Sequence, residues 1–91
     1  MSFNRYNPKR DKNELHIIKM LRLSGVSVQR ISAKDVPDLL CGYKGITYLI
    51  EIKDGKGKLS PGQTKFHEQW RGRKPQVAYN IDEALAIFGI K

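Results

Sequence analysis

The chain has 91 residues, with 17 Lys and Arg against 9 Asp and Glu, for a net charge of +8. That length supports one modest core. No apolar run approaches the roughly 20 residues a bilayer-spanning helix needs. So large an excess of positive charge points to a polyanion, nucleic acid before others. A membrane-surface role would call for a basic amphipathic helix with large apolar anchors, and the helices here are needed for the core.

Residues 1–10 read as a basic arm, with Arg5, Lys9 and Arg10, and residues 11–91 as one domain. The start shows no apolar signal segment, and a lone Cys41 offers neither an internal disulfide nor a Cys-rich zinc site. The expected compartment is a reducing cytoplasm, of a bacterium or a phage-infected host cell.

Asp11 is the expected N-cap of a first helix, with Glu14 closing a capping box. Ile17, Ile18, Leu21 and Met20 form its apolar stripe, and Ser24-Gly25 ends it. "VSVQRI" alternates as a strand, with Val26, Val28 and Arg30 on one face. "DLLCG" and "GITYLIEIK" read as two strands joined by a turn near Tyr43-Lys44-Gly45.

After a Gly-rich basic loop, "DGKGKL", Ser60-Pro61-Gly62-Gln63 is a strong helix start. That helix is expected to run through Phe66 and Trp70, both core residues, and to end near Gly72. "QVAYN" is a last strand. Asn80 caps a final helix, with Glu83 as box partner and Leu85 and Phe88 facing inward. The order α-β-β-β-α-β-α implies an α/β or α+β domain: a small mixed sheet flanked by helices.

The third strand carries the chemistry. Alternation puts Thr47, Leu49, Glu51 and Lys53 on one face and Tyr48, Ile50 and Ile52 on the other, toward the core. Pairing outward from the turn brings Asp38 near Ile50 and Glu51. Two carboxylates converging beside a backbone carbonyl make an oxygen-rich site of the kind Mg²⁺ prefers, with water in the remaining positions. Lys53 beside them is placed to orient a water or to stabilise charge on a phosphate.

These residues resemble the Pro-Asp…(Asp/Glu)-x-Lys nuclease motif, as Pro37-Asp38 and Glu51-Ile52-Lys53. With Glu14, Leu39 and the helix start Leu59-Ser60-Pro61-Gly62-Gln63, the chain after the basic arm resembles the virus-type replication–repair nuclease family, VRR-Nuc. The resemblance implies a restriction-endonuclease-like fold and Mg²⁺- or Mn²⁺-dependent hydrolysis of DNA phosphodiesters. It implies Asp38, Glu51 and the Ile52 carbonyl as metal ligands and Lys53 as the base-side catalytic residue. Glu14 and Gln63 would complete the site. Gly62 departs from the pattern, where a bulkier or charged residue is usual.

Lys56, Lys58, Lys65, Arg71, Arg73 and Lys74 cluster around this site in sequence and are candidates for DNA phosphate contacts. His16 and His67 read as surface or partly satisfied residues. Stand-alone members of the family resemble dimeric resolvases of four-way junctions, so the expected partners are branched DNA and a second copy. Tyr43, Tyr48, Tyr79 and the last helix offer more large side chains than one small core needs, which favours a homodimer. The alternatives are a non-catalytic nucleic-acid-binding module on the same fold and a ribosome-associated protein. Two acids facing an anionic ligand argue against the binding module unless a cation intervenes, and the ribosomal reading predicts no cleavage and tight RNA preference.

Overall fold

The structure is a computed structural model, and it describes residues 11–91. The basic arm expected over residues 1–10 lies outside the described residues. The elements are α1 (Glu14–Leu23), β1 (Ser27–Arg30), β2 (Leu39–Tyr43), β3 (Ile46–Ile52), α2 (Pro61–Gln69), β4 (Gln76–Ala78) and α3 (Ile81–Ile87). The four strands form one mixed sheet in the order β1-β2-β3-β4. The first three make an antiparallel meander, and β4 returns parallel to β3 after the α2 crossover. This is the α+β architecture and element order expected from the sequence. Among the described residues no helix is long and apolar enough to cross a membrane.

The β2–β3 hairpin fixes the register on which the site depends. Its loop is Lys44-Gly45, both with positive φ, at 50° and 79°. A two-residue loop with both residues left-handed matches the twist of the flanking strands. Pairing then runs Tyr43 with Ile46, Cys41 with Tyr48 and Leu39 with Ile50. One residue further out, Asp38 falls across from Glu51.

One face of the sheet carries the core. Leu39, Cys41, Tyr48, Ile50, Ile52 and Ala78 pack against Ile17, Ile18 and Leu21 of α1 and Ala84 and Phe88 of the α3 end. The spacing of the α1 residues gives the i, i+1, i+4 stripe that one helix face needs. The tyrosine surplus that favoured a dimer is absorbed here. Tyr48 and Tyr43 both meet the Phe88 ring edge-on, at 4.6 and 5.7 Å between centroids. Tyr79 donates its hydroxyl to the Gly57 carbonyl at 2.6 Å, pinning the Gly-rich loop.

Three element ends differ from the sequence pattern. The N-cap of α1 is Asn13, not Asp11, so Glu14 is the first helical residue and makes no capping box. The Asn13 amide is drawn elsewhere: Nδ2 donates to the carbonyls of Lys53 and Tyr79, at 3.2 and 2.9 Å. At α3, the Asn80 side chain accepts from Glu83 N, but Glu83 reaches back to the N–H of Tyr79 instead of that of Asn80.

Helix α2 stops at Gln69, and Trp70 caps it in an extended conformation. Phe66 and Trp70 are consequently not core. They stack on each other at 5.2 Å, and Trp70 is 47% exposed. With Leu40 and Leu49 of the sheet they line an open groove of about 480 Å³. The core face of the sheet is already filled by α1 and α3, so this pair can reach only the opposite face.

Candidate active site

Glu51 lies on that opposite face, at the end of β3, and is only 1% exposed. A carboxylate so deeply buried needs partners. Helix α2 supplies them. Gln63 Nε2 donates to Glu51 Oε2 at 3.2 Å, and Gln63 Oε1 accepts from Lys53 Nζ at 2.9 Å. The same Oε1 accepts the Ser60 N–H at 2.9 Å, while Ser60 Oγ accepts the Gln63 N–H. The capping box and the site are therefore one hydrogen-bond network. Gln63 serves both because an amide oxygen has two lone pairs and its nitrogen is left over for the acid.

Asp38 enters from the end of β2. Its Oδ2 accepts the Ile52 N–H at 2.7 Å, continuing the ladder through a side chain. The adjacent Ile31 N–H is donated to the Asp38 carbonyl at 2.8 Å, fixing the backbone. Burial pushes the Glu51 carboxyl up to about 9. The Asp38 charge, and a hydrogen bond to Asp38 from the protonated form, push the same way, against the pull of Lys53. Two acids placed so close cannot comfortably ionise together.

Two further residues belong here that the sequence pattern assigned elsewhere. Asp11, the expected helix cap, sits among the site charges. Burial raises its carboxyl, with Asp38 and Asp54 adding to the rise, while Lys53 and a hydrogen bond from the Asp54 backbone lower it. His67, expected near the surface, is only 7% exposed, and its Nε2 lies 3.7 Å from Glu51 Oε1. Burial, then the charges of Lys74 and Lys53, lower the imidazole from its ordinary value. Its helical spacing from Gln63, one turn earlier, was the signal that both face the same strand.

Glu14 is buried on α1, and its Oε2 accepts from Arg30 Nε at 2.9 Å. The strand face shared by Val26, Val28 and Arg30 explains why the guanidinium turns toward α1. Lys56, Lys58, Lys65, Arg71, Arg73 and Lys74 are all exposed. The Arg73 guanidinium stands over the Tyr48 ring, 4.6 Å from its centroid.

The donor set can be tested for a divalent cation. Among the described residues, no three His, Cys, Asp or Glu side chains form a ready cage. A hydrated hard cation does not require one, because water fills most of its positions. Glu51 Oε1 is buried and has no hydrogen-bond partner among the described residues. A buried carboxyl oxygen left so, beside a second acid, fits a metal ligand once a cation displaces its proton. No family model, curated protein or solved structure matches the chain.

Proposed function

We propose that this chain is a Mg²⁺- or Mn²⁺-dependent DNA endonuclease, as its resemblance to the VRR-Nuc family implies. The observation that carries the reading is the pair Asp38 and Glu51, with Glu51 bridged through Gln63 to Lys53, in a chain of net charge +8. A pure polyanion binder gains nothing from two acids aimed at its ligand. With a cation between acids and phosphate, the same acids become useful.

In this reading Asp38, Glu51 and the Ile52 carbonyl hold the ion. When bound, it supplies an acidified water and neutralises a phosphoryl oxygen. Lys53 then faces the reacting phosphate, oriented by Gln63, and stabilises negative charge as it builds. Gln63 also holds Glu51 in one rotamer, so ligand and lysine keep a fixed separation. Lys56, Lys58, Lys65, Arg71, Arg73 and Lys74 contact backbone phosphates and set position without reading sequence. Glu14 enters through Arg30, as support for the α1–β1 contact.

The resemblance extends the proposal to four-way junctions. Two cuts on opposed strands need two sites, and a two-fold homodimer presents them with matching symmetry. A reducing cytoplasm suits Cys41, whose buried thiol is pushed up to about 12 and is unreactive.

Labelled duplex, flap and four-way junction incubated with Mg²⁺, Mn²⁺ or chelator test the reading. Cleavage that needs metal and is lost in Asp38→Asn is expected. Binding without cleavage under every metal condition would leave the non-catalytic module in its place.

A further inference from the structure

Gln63 and His67 are one helical turn apart on α2 and bracket the Glu51 carboxylate. Gln63 Nε2 takes one oxygen, Oε2, at 3.2 Å. His67 Nε2 faces the other, Oε1, at 3.7 Å, too far for a hydrogen bond. Both facing atoms are buried and without a hydrogen-bond partner among the described residues. Both side chains are more than nine-tenths buried. Two polar atoms that face one another out of water, with no hydrogen bond between them, carry a desolvation cost.

We propose that His67 Nε2 is a ligand of the same divalent ion as Glu51 Oε1, so that the site binds a first-row transition ion such as Mn²⁺ in preference to Mg²⁺. This rests on the metal-dependent reading above and adds a nitrogen donor to its oxygen set. Imidazole suits transition ions, whereas Mg²⁺ demands oxygen donors and gives up its water reluctantly. An ion between the two atoms satisfies both at once. At 3.7 Å the two atoms are already spaced as two donors to one ion are, with Asp38, a carbonyl and water to fill the remaining positions. The other histidine, His16, is exposed on α1 and serves as an internal control.

The experiment is pulsed electron paramagnetic resonance on the full chain loaded with Mn²⁺, with histidine ¹⁵N-labelled. A directly bound histidine nitrogen is expected to couple to the ion in the wild type and in His16→Ala, and to be lost in His67→Gln. Calorimetric titration should show His67→Gln weakening Mn²⁺ by at least about tenfold, the scale of a lost group in a metal site, and Mg²⁺ by less. The spectrum of the wild type needs no variant, so a misfolded His67→Gln does not spoil the test. Mn²⁺ that binds, is displaced by Asp38→Asn, and shows no histidine coupling overturns the His67 assignment alone. Absence of any Mn²⁺ binding overturns it together with the metal-dependent reading.

Discussion

Gln63 joins Glu51 to Lys53 through one amide group, and the same amide closes the first turn of α2. Gln63 thus serves helix start and site at once. Gln63→Ala should lose about 1 kcal/mol of stability, the ordinary scale of a lost cap, and should also slow cleavage. Ser60→Ala removes the cap's other half without touching Glu51, so it should cost similar stability with little loss of cleavage. Denaturant unfolding beside single-turnover cleavage separates the two. Equal cleavage loss in both variants would show that the helix start alone matters.

Glu51 makes metal-free stability depend on pH. Its carboxyl is raised in the folded chain from 4.5 to about 9. Between those values the folded state holds more protons than the unfolded state, so stability falls as pH rises through the window. Thermal unfolding in chelator should show Tm dropping from pH 5 to pH 9, and Glu51→Gln should flatten that slope. Saturating Mn²⁺ should reverse the trend, because an ion replaces the proton. A wild-type Tm that is flat in chelator would contradict the buried, repelled carboxylate.

Lys53 should act on chemistry more than on affinity. Lys53→Ala is expected to bind DNA and metal yet cut slower by about 10²-fold or more, the scale for a positioned catalytic group. Lys56→Ala and Lys58→Ala, both exposed, should weaken DNA binding and reduce its salt dependence. Normal single-turnover cleavage by Lys53→Ala would remove its proposed role.

Gly62 has a structural reason for being glycine. A Cβ there would overlap the Asp35 carboxyl group, which lies against the first turn of α2. Asp35 itself holds a positive φ of 66°, three residues before Asp38. Gly62→Ala gains helix propensity of about 1 kcal/mol but evicts a carboxylate from a helix N-terminus. In an Asp35→Gly background, where φ of 66° suits glycine, the full gain should appear. A double-mutant cycle by denaturant unfolding should be clearly non-additive, and additivity would mean the two sites do not communicate.

The sequence by itself determined the local pieces. Alternation along Thr47 to Lys53 put Glu51 and Lys53 on one face, the turn at Lys44-Gly45 set the register, and Ser60-Pro61 started α2. These depend on short-range rules: strand period, turn chemistry and capping. Only the tertiary structure decided what met across the chain. Asp11 and His67 look like a cap and a surface residue until α1 and α2 converge on β3. Phe66 and Trp70 look like core until α1 and α3 fill the one face of the sheet that a core can occupy. Glu14 looks like half a capping box until Arg30 claims it. In each case the side chain's fate was set by a partner more than a dozen residues away, or by which sheet face was already taken, and local periodicity carries no record of either.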